Sequence, residues 1–148
     1  MSDPELLALY RSTTWSVDAP GGRLPVRPGG AAPPALRPSA IVTAFNPASR
    51  RFSPEANRRA DDALRARIAA LRLASWPTLA HGTGSDAASA AAWDEPGWCL
   101  PGDTREIAVA LGRDFGQNAI VWIDAEGAVT MVCSREGFCG ARVGQVVG

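Results

Sequence analysis

Short apolar runs separated by turn-forming residues dominate this chain and predict six β-strands. The run at 119–123 is apolar at every position, which indicates a strand that is covered on both faces. The four-residue loop 124–127 joins the last two runs as a hairpin. The six predicted strands are residues 13–17, 41–45, 76–80, 93–100, 119–123 and 129–133.

Two longer segments show the 3.6-residue periodicity of amphipathic helices. The first covers residues 54–73 and begins with Ser53 as its N-cap. The second begins after a cap at Asp103, and a short helix over 4–10 precedes the first strand. The apolar stripes that would face the core are Ala60, Leu64, Ile68 and Leu71 in the first helix and Ile107, Leu111 and Phe115 in the second.

These elements predict an α+β fold with a mostly antiparallel sheet of four to six strands and two main helices packed on one face. The other face would need cover from the Trp-rich loops or from a second copy of the chain. We therefore expect a homodimer, with Trp15 on an edge strand as its anchor. The length of 148 residues fits a single domain over 1–148.

Two segments receive no predicted element. Residues 19–38 contain six Pro and four Gly, so we expect a flexible insert without regular structure. Residues 134–148 contain four Gly among the last twelve positions and remain unassigned.

The composition excludes several kinds of chemistry. All 15 Lys or Arg positions are Arg, so the chain has neither a Schiff-base Lys nor the Lys of a phosphate-binding P-loop. His81 is the one His, which excludes a two-His metal site within one chain. Cys99, Cys133 and Cys139 lack Cys-x-x-Cys spacing and indicate reduced thiols. We therefore expect no metal, no cofactor and a cytoplasmic location.

The charge distribution bears on partners. Net charge is zero, although residues 50–72 hold seven Arg against three acidic residues. The whole chain is too neutral for a dedicated nucleic-acid binder, so we expect no nucleic-acid partner. No apolar run approaches the roughly 20 residues of a membrane span, and we expect no membrane insertion.

The junction between strand 41–45 and helix 54–73 is the leading candidate for a binding site. Backbone amides at such a junction attract anions and polar ligands. Asn57 falls on the core-facing stripe of the helix, where an apolar side chain is expected. Two interpretations stay open: the polar side chains bind a ligand, or they only cap and satisfy the local backbone. The candidates are Asn46, Ser49, Ser53, Asn57 and Arg58.

Two polar residues outside the junction are further candidates. Gln117 follows the second helix and would reach the same mouth of the sheet if the two buried strands are neighbours. Glu95 lies between two Trp residues, and such surroundings would raise the pKa of its carboxyl by desolvation and suit it to acid–base catalysis. Alternatively, Glu95 forms an ion pair with Arg58 or Arg59.

Several short motifs, in this order and spacing, resemble the bacterial domain-of-unknown-function family 3293. They extend over about residues 10–133 and are Tyr10-Arg11-x-Thr13-x-Trp15, then Ile41-Val-Thr-Ala-Phe-Asn-Pro47 with Ser49, Ser53, Asn57 and Arg58, then Trp93-x-Glu95, and Phe115-Gly-Gln117-x-Ala119. The resemblance implies a small bacterial protein without an established activity, so it supplies positions and no reaction. The chain departs from the family pattern in its insert at 19–38.

Two functions therefore remain open. The first is a non-enzymatic binding or accessory module for a protein or a small anionic ligand. The second is a small metal-independent enzyme that acts on an anionic metabolite or nucleotide, with Arg58 as anion clamp, Asn46 and Asn57 as orienting groups and Glu95 as acid or base. The first is favoured, because these residues do not assemble into a nucleophile–base pair or a set of metal ligands.

Overall fold

The computed structural model describes residues 1–46, 50–82 and 94–148, and these form a seven-stranded sheet with three α-helices. The helices are α1 (Asp3–Arg11), α2 (Pro54–Ala70) and α3 (Arg105–Asp114), and short 3-10 turns lie at Pro34–Leu36 and Phe138–Gly140. The strands are β1 (Thr14–Ala19), β2 (Gly22–Val26), β3 (Ser39–Val42), β4 (Trp76–His81), β5 (Glu95–Pro101), β6 (Ala119–Ile123) and β7 (Val129–Cys133). Every strand pairing is antiparallel, in the order β2-β1-β4-β5-β3-β6-β7. The sheet curls into a half-barrel.

This half-barrel corrects the predicted fold of four to six strands with two main helices. The additional strand, β2, lies inside the Pro/Gly-rich segment 19–38, where the sequence predicts no regular structure. Pro20 and Gly21 form the turn from β1 into β2, and Gly21 takes a φ of +97°, as the third residue of a Pro-Gly turn does. Pro25 is tolerated because β2 is an edge strand, so its missing N–H breaks no inner ladder. Residues that disfavour inner strands thus build a hairpin at the sheet edge.

Helices α2 and α3 pack on one face of the sheet. Leu64 and Ile68 of α2 and Leu111 of α3 are buried together with Leu100 and Ile120 of the strands. None of the helices in the described residues is long and apolar enough to cross a membrane. This helical layer leaves the opposite, concave face to be covered in another way.

The concave face is covered by chain from the Pro/Gly-rich segment. Leu36 is fully buried among the side chains of that face. Ala31 pairs with Ala128, and the Gly29 N–H donates to the Val129 carbonyl oxygen at 2.9 Å. The segment after β2 therefore reaches the far edge of the sheet and closes one end of the curl with main-chain hydrogen bonds.

Residues 134–148, which the sequence leaves unassigned, contribute Phe138 and Val147 to a separate buried cluster with Leu6 and Leu7 of α1. The Val147 N–H donates to the Met131 carbonyl oxygen at 2.9 Å, and Phe138 is fully buried. Arg135 Nη2 donates to the Asp3 carboxylate at 2.7 Å. The end of the chain is thereby attached both to β7 and to α1.

Candidate functional site

A partly enclosed pocket of about 60 Å³ lies on the concave face, at the end where β3 leads towards α2. A buried water needs at least about 10–15 Å³ of cavity volume, so a pocket of about 60 Å³ has room for about four to six water-sized groups. Its apolar wall is formed by residues that include Trp15, Ile41, Ala80, Val121 and Met131, and its polar groups include Thr43, Thr78, Glu95 and Gln117.

Strand alternation explains why Glu95 faces this pocket. Glu95, Gly97 and Cys99 alternate along β5 and therefore share the concave face, and Thr78 of β4 lies opposite Gly97. A Cβ atom on Gly97 would lie 2.9 Å from both Thr78 Oγ1 and the Val42 carbonyl oxygen, closer than such atoms approach. Glycine at position 97 therefore keeps the floor of the pocket open.

Asn46 connects Glu95 to the first turns of α2. Its Nδ2 donates to Glu95 Oε1 at 2.7 Å, and its Oδ1 accepts from Asn57 Nδ2 at 2.9 Å and from the Phe52 N–H at 3.0 Å. The Asn46 N–H in turn donates to Asn57 Oδ1 at 2.9 Å. Asn46 has a φ of +46°, a left-handed conformation in which Asn is enriched among residues other than Gly. Asn57 is 6% exposed, so its amide faces inward and supports Asn46.

Burial raises the pKa of the Glu95 carboxyl, and the hydrogen bond from Asn46 opposes part of that rise. The sequence leaves two alternatives open for Glu95, desolvation or an ion pair with an Arg. The raised pKa matches desolvation. Among the described residues, no Arg or His forms an ion pair with Glu95. Arg58 and Arg59 are both exposed on α2, so the expected ion pair with either of them is not formed.

Gln117 reaches the same pocket from the loop before β6. Strand β6 lies beside β3, as it must if Gln117 is to reach this end of the pocket. Gln117 Nε2 donates to the Phe45 carbonyl oxygen at 3.1 Å and to the Phe115 carbonyl oxygen at 3.3 Å. Gln117 therefore lines the pocket and also holds the residue that precedes Asn46.

Two other candidates, Ser53 and Arg58, do not line the pocket. Ser53 is the N-cap of α2, and its Oγ accepts from the Ala56 N–H at 3.1 Å. Arg58 is exposed on α2, and Ser49 lies outside the described residues. The structure thus brings together Asn46, Glu95 and Gln117, with Asn57 behind them.

Thr78 is a pocket residue that the sequence patterns did not single out. It is 6% exposed, and its hydroxyl has no hydrogen-bond partner within the described part of the chain. The signal was the alternation of β4, which places Trp76, Thr78 and Ala80 on one face. Within the described ranges, no group of three or more His, Cys, Asp or Glu side chains could hold a metal ion. The arrangement suits non-covalent binding around one ionisable carboxyl.

Comparison with protein families matches residues 42–120 to the family described as Protein of unknown function (DUF3293). The matched segment is more than half of the 148-residue chain. The chain belongs to the DUF3293 family. No curated protein and no solved structure matches it.

The DUF3293 match confirms the family resemblance over a shorter stretch than the motifs suggest. The matched segment contains Asn46, Glu95 and Gln117. Of the apolar wall, Ala80 lies within it, whereas Trp15, Ile41, Val121 and Met131 lie outside it. The pocket of this DUF3293 protein therefore depends on residues both within and beyond the family segment.

Proposed function

We propose that this protein is a non-enzymatic module that binds a small molecule in the concave pocket. The observation that carries the proposal is the convergence of apolar walls with the Glu95 carboxyl and the Thr78 hydroxyl in one partly enclosed space. Ligand sites typically combine mostly apolar walls with a few oriented polar groups. A buried hydroxyl without a partner costs about 1–3 kcal/mol, and a ligand that pairs with Thr78 would remove that cost.

The pocket does not support the anionic ligand that the sequence suggested. Its described lining includes no Arg and no His, and a carboxylate at Glu95 would repel an anion. Arg58, the expected anion clamp, is exposed on α2 away from the pocket lining. We therefore propose a ligand that is neutral or positively charged and that places an apolar body against the walls.

A metal-independent enzyme is the second candidate, and the raised pKa of Glu95 favours it. Burial moves a carboxyl towards the range in which it can exchange protons near neutral pH. Asn46 would then orient the carboxyl as a general acid or base. If a bound compound is converted by the wild type and not by Glu95→Gln, while both proteins still bind it, the enzymatic role is supported; binding without conversion supports the module.

Binding to the pocket can be tested with n-butanol, whose size matches the space available. Amide NMR spectra of the wild type should show saturable shifts at residues 43–46 and at Glu95 and Gly97. Ala119 lines the pocket, so Ala119→Leu should fill it and abolish these shifts. Ala110→Leu is the matched control, because Ala110 is exposed on α3. Shifts that persist in Ala119→Leu, or that never appear in the wild type, would contradict the proposal.

We also propose that the protein is located in the cytoplasm. The support is its three free cysteines, of which Cys99 and Cys133 are buried. Thiols without disulfide partners are typical of reducing compartments.

A further inference from the structure

The polar groups of the pocket include two hydrogen-bond acceptors on neighbouring strands. Glu95 Oε1 accepts a hydrogen bond from Asn46 Nδ2 at 2.7 Å, and no described cation pairs with the carboxyl. Thr78 presents its hydroxyl on the same face of the sheet, opposite Gly97. Both residues line the pocket, and the Thr78 hydroxyl oxygen itself is closed to solvent, so a ligand reaches it only when the Thr78 side chain turns towards the pocket.

The surroundings of the Glu95 carboxylate indicate which chemical group in a ligand would pair with it. An ionised carboxylate in apolar surroundings is unfavourable unless a cation or several donors compensate it. Burial raises the pKa of Glu95 for this reason. An ammonium group is a compact cation with three donors, so it can pair with the carboxylate and also donate to Thr78 Oγ1. A planar guanidinium is larger and presents its donors in a fixed fork, so it matches two acceptors on neighbouring strands less well than the compact ammonium.

We propose that the ligand of this pocket is a small primary amine whose ammonium group faces Glu95 and Thr78. Its carbon chain would lie against Trp15, Val121 and Met131, which form the apolar wall. The inference rests on the proposed function, because it names the ligand class of the same pocket. It excludes carboxylates and phosphates as ligands of this site, since they would place a second negative charge beside Glu95.

Three four-carbon probes that differ in charge test two questions: whether the pocket binds a small molecule at all, and whether it prefers an amine. They are n-butylammonium, n-butanol and butyrate, titrated at one ionic strength and followed by the pocket amide signals. We expect n-butylammonium to bind most tightly and butyrate most weakly. Glu95→Gln should lower the affinity for n-butylammonium at least about tenfold, because a hydrogen bond to a charged group is lost. The same variant should change the affinity for n-butanol by less than about twofold.

Two further variants complete the design. Glu126→Gln removes one negative charge from an exposed loop, so it controls for general electrostatic attraction and should change nothing by more than about twofold. Thr78→Val removes the second acceptor and should weaken n-butylammonium by about fivefold. This second variant keeps the test open if Glu95→Gln disturbs the fold.

The outcomes separate the inference from the proposed function. If n-butanol binds in the pocket but n-butylammonium binds no more tightly, the amine class is overturned and the binding module stands. The same holds if Glu95→Gln and Thr78→Val both leave n-butylammonium affinity unchanged. If none of the three probes shifts the pocket amides, the proposed function fails and the inference fails with it.

Discussion

Asn46 contacts three parts of the candidate site through one side chain and one main-chain N–H. The inward position of Asn57 could be predicted, because it follows from helical periodicity alone. Its partner could not, since Asn46 takes a left-handed φ that apolar periodicity does not reveal. Of the two interpretations, ligand binding and support of the local backbone, the contacts of Asn57 match the second. Glu95, a candidate outside this cluster, faces the pocket.

Asn57→Ala should destabilise the protein by about 1–3 kcal/mol, because it leaves the buried N–H of Asn46 without a partner. The measurement is the free energy of unfolding in urea. Arg58→Ala is the matched control, since Arg58 is the exposed neighbour on the same helix and should change that energy by less than about 0.5 kcal/mol. Equal values for the two variants would mean that the Asn46–Asn57 contacts contribute nothing to stability.

Thr78→Val should raise the free energy of unfolding by about 1 kcal/mol, because it replaces a buried hydroxyl that has no partner. Thr43→Val is the same substitution at a hydroxyl that donates to the Pro96 carbonyl oxygen at 2.8 Å and accepts from the Phe45 N–H at 3.1 Å. That control should lower stability by about 1–2 kcal/mol. Thermal unfolding of both variants gives the comparison. A destabilised Thr78→Val would indicate that the hydroxyl is hydrogen-bonded in solution.

The raised pKa of Glu95 makes stability depend on pH in a defined direction. Its folded pKa lies above the ordinary value of 4.5, so the folded state holds its proton more tightly than the unfolded state does. This contribution to stability is fully present below pH 4.5 and is lost as pH rises through the folded pKa. Glu95→Gln mimics the protonated form. The variant should therefore gain stability relative to the wild type between about pH 4 and about pH 8.

Urea unfolding of the wild type and Glu95→Gln at both pH values measures this effect. Glu126→Gln is the control, because it makes the same substitution at an exposed side chain. A constant difference between Glu95→Gln and the wild type across the range would show that burial does not perturb Glu95.

At the scale of elements, periodicity predicted the helix at 54–73 to within a few residues of α2, but it failed where turns or close packing decide. The sequence does not predict strand β2, because Pro and Gly disfavour inner strands, although a Pro-Gly turn at a sheet edge requires them. Ile107 was predicted in the core and is 37% exposed. The buried side of α3 includes Gly112, where a Cβ would lie 2.7 Å from Ile120 Cγ2. The small residue Gly112 allows α3 to approach Ile120 closely. Helical periodicity counts large apolar residues and therefore does not predict this contact.

Leu36 provides the test of whether the Pro/Gly-rich segment belongs to the core. It is fully buried, so Leu36→Ala should cost about 2–5 kcal/mol in the free energy of unfolding. Leu71→Ala is the control, because Leu71 is 48% exposed at the end of α2 and should cost less than about 1 kcal/mol. If the two variants unfold alike in urea, the segment does not pack on the sheet in solution.

At the scale of the whole molecule, the pocket exists because the sheet curls. Trp15 and Met131 are far apart in the sequence and line one space only when β1 and β7 approach each other across the concave face. The closing contacts include the Ala32 N–H donating to the Gly127 carbonyl oxygen at 2.8 Å. Main-chain pairs between irregular segments leave no pattern of side chains, so the sequence indicates the polar candidates Asn46, Glu95 and Gln117 but not the apolar wall to which Trp15 and Met131 belong.

The same closure removes the reason for predicting a homodimer. That prediction required an uncovered sheet face and an exposed Trp15 on an edge strand. Leu36 from the chain itself packs on the concave face, and Trp15 is 9% exposed on β1, which lies between β2 and β4 and not at the sheet edge. We therefore expect a monomer of 15.5 kDa in light scattering coupled to size-exclusion chromatography, independent of concentration.

The Leu36→Ala variant makes this expectation sharper. If cover by the Pro/Gly-rich segment is what keeps the concave face from self-association, loosening it should expose apolar surface and give a mass that rises with concentration. Leu71→Ala should stay at the monomer mass, because Leu71 lies outside that core. A wild-type mass near twice 15.5 kDa would show that a different surface pairs the chains, and the exposed Phe52 and Val146 would be the first positions to substitute.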